Sequence, residues 1–381
     1  MKIALITNSR IPSLTANSIQ AMKVAQALMQ LGHDLRLFAP AETAPVPQET
    51  LLAHYGLSLA PPIELIPSIK ILRRYDFVIR AQVAAEKFGA DLIYTWLPQS
   101  AVFALQRKYP VVLEMHADVA GRMGAWWLRR FWELRGRKLI TVTTQALRNA
   151  LERSAELQFP NESVLVAPNG VELEKYADLP SPADAQRQLN LKDGWTIGFT
   201  GHIYSGRGAD LLFELAQRMP QINFLWVGGT AGLADFWRKK MNAAKISNVT
   251  MTGFVKHEQI PLHQAAADIL LMPYSRSIAA SSGQDIAEVI NPMKMFEYMA
   301  AGRAIISADL PSIREVLNEK NAVFCEPDDV AAWRSAIESL LEDQSRRYRL
   351  GGQARRDAEK FTWLAREERV LEFISRIILR G

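Results

Sequence analysis

One cysteine, Cys325, occurs in 381 residues, so no intrachain disulfide can form and a cysteine-based metal cluster is excluded. No apolar run approaches the roughly eighteen residues of a membrane-spanning helix. The opening, Met1-Lys2-Ile3-Ala4-Leu5-Ile6-Thr7, has one charge and then a short strand-like run. Its apolar stretch is too short for a secretory leader and lacks a small-residue cleavage pattern, so a cytoplasmic location is the expectation. The next loop, Asn8 to Ser18, contains no glycine. The G-x-G-x-x-G fingerprint is therefore missing where a dinucleotide would need it, which argues against a nicotinamide-dependent enzyme. No Asp-x-Asp pair occurs anywhere, and the six histidines are scattered, so no metal cage is evident. Charge of one sign is also scarce: 45 Lys+Arg against 40 Asp+Glu give a net +5. The basic residues that do cluster occupy one short tract rather than a face, which disfavours nucleic-acid binding.

What the chain does have is ordinary globular composition, 49% apolar and 22% charged, over a length that suggests two domains. Short apolar runs alternate with amphipathic stretches. Lys2–Thr7, Asp34–Phe38, Asp91–Thr95, Val111–Met115, Leu139–Val142 and Ser163–Val166 read as strands, with Ser18–Leu31 and Ile71–Lys87 among the intervening helices. The pattern restarts with strands Trp195–Thr200, Asn223–Val227, Val249–Thr252, Ile269–Met272, Ala304–Ser307 and Ala322–Phe324. The boundary falls in the polar, proline-bearing stretch Tyr176–Ala183. Strands alternating with long helices imply parallel β-α-β units, hence two doubly wound α/β domains in tandem. Ligands of such sheets gather outside the carboxyl ends of the strands.

Two strand ends carry cations. Phe199-Thr-Gly-His-Ile-Tyr-Ser-Gly-Arg-Gly208 offers glycines at 201, 206 and 208, with a helix expected to begin near Arg207. Backbone N–H groups, a helix start and a guanidinium there suit a diphosphate; a glycine turn with a solvated arginine is the plain alternative. Asn291-Pro-Met-Lys-Met-Phe-Glu297 is a second helix start, with Pro292 expected at the first helical position. Lys294 in the first turn is electrostatically wrong for a bare helix end, but suits one that meets an anion. Glu297, three residues on, offers an acceptor for a ribose diol; a surface Lys–Glu pair is the plain alternative. His116 ends the strand Val111–Met115, with Asp118 two residues further.

Taken together, these residues resemble family 4 of the GT-B glycosyltransferases. Besides His116, the resemblance rests on Leu31-Gly-His-Asp-Leu-Arg-Leu-Phe38, Pro168-Asn-Gly-Val-Glu172, Gly201 through Gly208 and Thr252-Gly-Phe-Val255. It continues through Leu271-Met-Pro-Tyr274, Pro292 through Gly302 and the closing Phe361-Thr-Trp363. It covers nearly the whole chain. It implies two facing Rossmann-like doubly wound domains: an acceptor domain over 1–175, joined by a last helix over 363–381 that crosses back, and a donor domain over 176–362. It also implies a retaining, nucleotide-sugar-dependent enzyme. Arg207 takes the place of the lysine that grips the donor diphosphate, His202 that of the arginine beside it, and Glu297 that of the second motif glutamate. The first glutamate should stand eight residues earlier, where this chain has Val289; Glu288 is one residue off. By the same resemblance Gly201, Tyr274, Asn291, Pro292, Met293 and Lys294 join the donor site, and the backbone at Gly253 and Phe254 meets the nucleobase. His116 approaches the transferred sugar, and Asn17, Ser18 and Asp118 lie on the acceptor side.

The implied reaction moves a hexose-type residue, UDP-linked as the first expectation, to a glycan, lipid-linked or small-molecule acceptor in envelope or exopolysaccharide synthesis. No cofactor or metal is expected: Arg207, Lys294 and helix ends must stabilise the leaving diphosphate, which itself takes the acceptor's proton. A nucleotide-sugar epimerase and a non-catalytic nucleotide-sugar-binding protein stay open as alternatives. One further feature stands out between Gly121 and Ile140, where Arg122, Arg129, Arg130, Arg135, Arg137 and Lys138 interleave with Trp126, Trp127, Phe131 and Trp132. The pattern suits peripheral attachment to an anionic membrane, with packing of the tryptophans inside the first domain as the alternative.

Overall fold

Runs such as Val111–Met115 and Ile269–Met272 are buried along their whole length. That is the signature of parallel strands covered by helices on both faces. In the computed structural model, which describes residues 1–380 except 43, 70, 71, 73, 74, 204 and 280–284, every ladder between strands is parallel. The expected helix start at Ile71, and Tyr204 in the glycine loop, lie outside the described residues. The chain divides into two compact units, one made of Met1–Asn169 with Trp363–Gly381, the other of Gly170–Thr362.

The first unit holds β1 (Lys2–Ile6), β2 (Asp34–Pro40), β3 (Ile63–Ile66), β4 (Leu92–Thr95), β5 (Val111–Met115), β6 (Lys138–Val142) and β7 (Val164–Val166), in the order β3-β2-β1-β4-β5-β6-β7. β3 was not anticipated. Prolines 61, 62 and 67 bracket it, which is permitted because it is an edge strand with one row of unpaired N–H groups. Thr15 caps the helix Ala16–Gln30 by accepting from Ser18 N–H. The last helix, Trp363–Arg380, packs beside that same helix and is anchored by Arg366, whose Nε donates to the carbonyls of Ala167 (3.3 Å) and Pro168 (3.1 Å).

The second unit holds β8 (Thr196–Thr200), β9 (Asn223–Val227), β10 (Val249–Gly253), β11 (Ile269–Met272), β12 (Ala304–Ala308) and β13 (Val323–Cys325), in the order β10-β9-β8-β11-β12-β13. Its core gathers Phe199, Trp226, Met272, Phe296 and Trp333. The segment enters and leaves at neighbouring points, where Val171 N–H donates to Phe361 O at 2.9 Å.

Candidate active site

β8 and β11 are neighbours in the sheet but are separated in sequence by β9 and β10. The strand order therefore reverses between them, and it is at the carboxyl ends beside such a reversal that ligands of these sheets bind. Gly201 follows β8 with φ +130°, and a Cβ there would come within 3.2 Å of Lys294 Nζ; the missing side chain is room for the lysine. Gly208 (φ +87°) precedes the helix Ala209–Arg218, and a Cβ on it would lie 2.0 Å from the Pro273 carbonyl oxygen. The helix thus begins two residues after Arg207, which stays in the loop. Arg207 Cζ sits 5.8 Å from the Tyr274 ring centre, and its Nε is buried without a hydrogen-bond partner.

Lys294 reaches the same ring from the helix Met293–Ala301. Its Nζ lies 5.1 Å from the Tyr274 ring centre and 4.0 Å from that of Phe199, again buried and without a hydrogen-bond partner. Two aromatic faces offset only part of the cost of desolvating an ammonium. Burial, then the nearby Arg207, hold the Lys294 amine well below its ordinary range, against the pull of Glu297. Burial likewise pushes the Tyr274 phenol up to about 12, against Arg207. Pro292 has extended ψ (133°) and caps this helix from outside, one place earlier than expected, with Met293 as the first helical residue.

Glu297 accepts from Gln264 Nε2 at 3.3 Å and stands 3.8 Å from His257 Nε2. Gln264 also donates to Thr200 Oγ1 at 3.2 Å, and Thr200 N–H donates to Tyr298 Oη at 2.7 Å. Glu297 is thereby tied to the end of β8. Val289 is buried and Glu288 exposed, so the neighbouring carboxylate does not fill the place of the first motif glutamate. Gly253 ends β10 and accepts from Gly228 N–H at 2.8 Å, while Phe254 beside it is 57% exposed. His202, Asn291 and Met293 are half-buried.

In the first unit, His116 follows β5, and its Nε2 lies 2.5 Å from Glu114 Oε1. Glu114, in the otherwise apolar β5, is fully buried and also accepts from Gln20, Tyr94 and Arg366. Burial raises its carboxyl, and Arg366, followed by His116 and Tyr94, more than reverse this, leaving it at about 2. Asp118 accepts from Val119 N–H (2.7 Å) and from Ser154 Oγ (2.5 Å). Asn17 is exposed in the first turn of Ala16–Gln30, whereas Ser18 is fully buried with its hydroxyl 2.5 Å from Tyr55 Oη. Gln20, Tyr94, Arg366 and Glu367 around Glu114, and His257 and Gln264 around Glu297, were not singled out from sequence. The available signal was a carboxylate, Glu114, inside an otherwise apolar strand, since such a charge needs buried partners.

The aromatic-basic tract forms the helix Gly121–Glu133 and the start of β6. Trp127 and Phe131 are buried, and Trp132 packs edge-on against Phe159 with ring centres 5.0 Å apart. Lys138 Nζ donates to the carbonyls of Phe131, Trp132 and Leu134 at the helix end. Arg129 and Arg130 face Glu156 (3.6 Å) and Glu133 (3.7 Å). Much of the tract is therefore interior packing and helix capping, with Met123 (60%) and Trp126 (46%) exposed.

Two doubly wound parallel units of this kind define the GT-B class of glycosyltransferase fold. Solved structures with the same fold include Anabaena Alr3699/HepE in complex with UDP (TM-score 0.76, 19% identity, 99% of this chain and 100% of that one). Another is the sucrose-phosphate synthase of Thermosynechococcus elongatus (TM-score 0.76, 20% identity, 100% of both). Residues 18–175 match the family described as Glycosyltransferase Family 4, and residues 194–343 that described as Glycosyl transferases group 1. Both halves of the chain thus match families of glycosyltransferases, each over less than half of its length. Among curated relatives, it is 27% identical to TuaH of Bacillus subtilis, a glycosyltransferase named for teichuronic acid biosynthesis, over 53% of this chain and only 48% of TuaH. It is 22% identical to the D-inositol 3-phosphate glycosyltransferase of Xylanimonas cellulosilytica over 91% of this chain and 88% of that protein. The GDP-mannose-dependent phosphatidylinositol monomannoside mannosyltransferase of Mycolicibacterium smegmatis is 25% identical over 61% of this chain and 62% of its own length.

Proposed function

We propose that this glycosyltransferase moves a hexose-type sugar from UDP to a glycan, lipid-linked or small-molecule acceptor, with retention at the anomeric carbon and without a metal ion, in cell-envelope or exopolysaccharide synthesis. The observation that carries the donor class is Lys294. Its buried Nζ lacks a hydrogen-bond partner and shares the Tyr274 ring with Arg207 at a switch point in the sheet. A diphosphate would supply the missing acceptors. Glu297, held by Gln264, would take a ribose diol, and the exposed Phe254 at the end of β10 would flank the base. As the glycosidic bond breaks, negative charge grows on the leaving phosphate, where preorganised cations are worth about 10²–10³ in rate. The leaving phosphate takes the acceptor's proton. Among the described residues no group of three or more His, Cys, Asp or Glu is placed to hold a metal ion; in this reading the work falls to the two cations.

UDP as the nucleotide is supported by HepE, whose structures hold UDP, UDP with glucose, and UDP-glucose. The GDP-mannose-dependent mycobacterial relative names the competing donor. Thermal-shift titration with UDP-glucose, GDP-mannose and an ADP-sugar tests the reading, because a ligand bound only by the folded state raises its stability. Stabilisation by the UDP-sugar above the others is expected; stabilisation by GDP-mannose alone overturns the UDP assignment. Incubation with donor alone separates transfer from epimerisation: a new sugar isomer without acceptor would favour the epimerase. Peripheral contact with anionic lipid is assigned to Met123, Trp126 and the adjoining Arg122, all exposed on one short helix. Among the described residues no helix is long and apolar enough to cross a membrane.

A further inference from the structure

Four separate elements of the first unit converge on one carboxylate. Glu114 comes from β5, Tyr94 from β4, Gln20 from the helix Ala16–Gln30, and Arg366 from the last helix, 252 residues away in sequence. Glu114 lies in β5 and His116 follows the last residue of that strand, and the two side chains meet. A carboxylate only accepts hydrogen bonds. The 2.5 Å contact therefore requires His116 to carry its proton on Nε2 and to donate it to Glu114 Oε1. In the neutral ring this leaves Nδ1 as an acceptor, able to take a hydrogen bond from a sugar or acceptor hydroxyl.

The carboxylate is itself held. Arg366 is fully buried, and its Nη2 donates to Glu114 Oε1 at 2.6 Å. Its Nη1 pairs with Glu367, and its Nε is taken by the carbonyls of Ala167 and Pro168. Such a filled fork fixes one geometry; a lysine in its place would keep the positive charge and one donor beside Glu114, whereas methionine would supply neither. We propose that Glu114 is a positioning residue that fixes the tautomer and orientation of His116, and that Arg366 on the last helix holds Glu114 in place for that task. The last helix thus completes the His116 site. The inference rests on the reading of His116 as a residue that meets sugar or acceptor.

Two measurements on the full-length protein separate the inference from that reading. The first is NMR of protein labelled with ¹⁵N at histidine, with His116→Ala identifying the His116 signals among six histidines. The wild type is expected to show the Nε2–H tautomer with a far-downfield proton, and Glu114→Gln and Arg366→Met to lose that signature while Arg366→Lys keeps it. The second is release of UDP from UDP-glucose with water as acceptor. His116→Ala and Glu114→Gln are each expected to lower kcat by about 10²-fold, with UDP affinity from calorimetry unchanged as the control for folding. Glu114→Gln should add nothing in the His116→Ala background, because it acts through that ring. A merely structural Glu114 would lower kcat further in the double variant, or leave the His116 signals untouched; either result overturns the inference. Normal kcat in His116→Ala with the tautomer signature intact in the wild type overturns the reading of His116 and leaves the geometry standing. Should Glu114→Gln not fold, the contrast between Arg366→Met and Arg366→Lys decides on the same two readouts: equal behaviour of the two overturns the inference.

Discussion

A buried lysine without a hydrogen-bond partner costs stability, and the proposed diphosphate would supply Lys294 with the acceptors it lacks. Arg207→Ala and Lys294→Ala are each expected to lower turnover at saturating donor by about 10²-fold or more while the protein stays folded. Near-normal rates in both would remove the leaving-group chemistry. The lowered proton affinity of Lys294 has its own consequence. A bound diphosphate favours the charged amine, so Lys294 holds its proton to higher pH in the complex than in the free protein. Where the free amine has begun to deprotonate, UDP binding therefore takes up a proton, and affinity falls as pH rises. Calorimetry in two buffers of different ionisation enthalpy reads the uptake directly. Equal heats in both buffers for the wild type, or the same uptake in Lys294→Met, would sink the assignment. The cation and its glycine were legible because a lysine in the first turn of a helix and glycines after a strand are local features. The pairing of both cations over Tyr274 was not, since it depends on β8 and β11 becoming neighbours.

At the scale of elements, the glycine loop is shaped by backbone collisions. Gly208→Ala would force φ +87° on a residue with a Cβ and set that atom 2.0 Å from the Pro273 carbonyl oxygen, which is backbone and cannot swing away. A loss of at least about 1–3 kcal/mol is expected, read as a lower denaturation midpoint together with loss of UDP-dependent stabilisation. An unchanged midpoint would mean that the loop does not need this conformation. Strand positions were largely readable, because parallel strands covered on both faces appear as short continuous apolar runs. β3 escaped because an edge strand flanked by prolines lacks that run. The Trp-rich helix stayed open to two readings for a physical reason: aromatic and basic residues at helical spacing look the same whether the rings turn inward or outward. Here Trp127 and Phe131 turn in and Lys138 caps the helix end. Co-sedimentation with liposomes measures what remains: weak, salt-sensitive binding to anionic but not neutral vesicles, lost in Met123→Ser/Trp126→Ser. No sedimentation at low salt removes the lipid contact.

At the scale of the whole chain, the first unit is completed only by residues that follow the second, because Trp363–Gly381 belongs to it. Arg366 and Glu367 arrive with that helix and close a cluster in which one guanidinium faces two buried carboxyls. Local sequence patterns do not show this, since two adjacent charges in an amphipathic helix ordinarily lie in solvent. The two carboxyls diverge. Glu114 is held at about 2, whereas burial pushes Glu367 up to about 7, with Arg366 opposing and Glu114 adding to the rise. The consequences for stability have opposite signs. Glu114, lowered in the folded state, contributes stability present above its unfolded value near 4.5 and lost as pH falls towards 2. Glu367, raised in the folded state, keeps a proton between about 4.5 and 7 that the unfolded chain has released. Stability therefore declines as pH rises through that interval and levels off above it. Glu367→Gln imitates the protonated acid at every pH, so it should match the wild type near pH 5 and unfold at higher temperature than the wild type at pH 8. Scanning calorimetry at the two pH values checks this. Parallel shifts of both proteins would show that Glu367 ionises in the folded state as readily as in the unfolded chain, and that Arg366 serves both carboxylates at once.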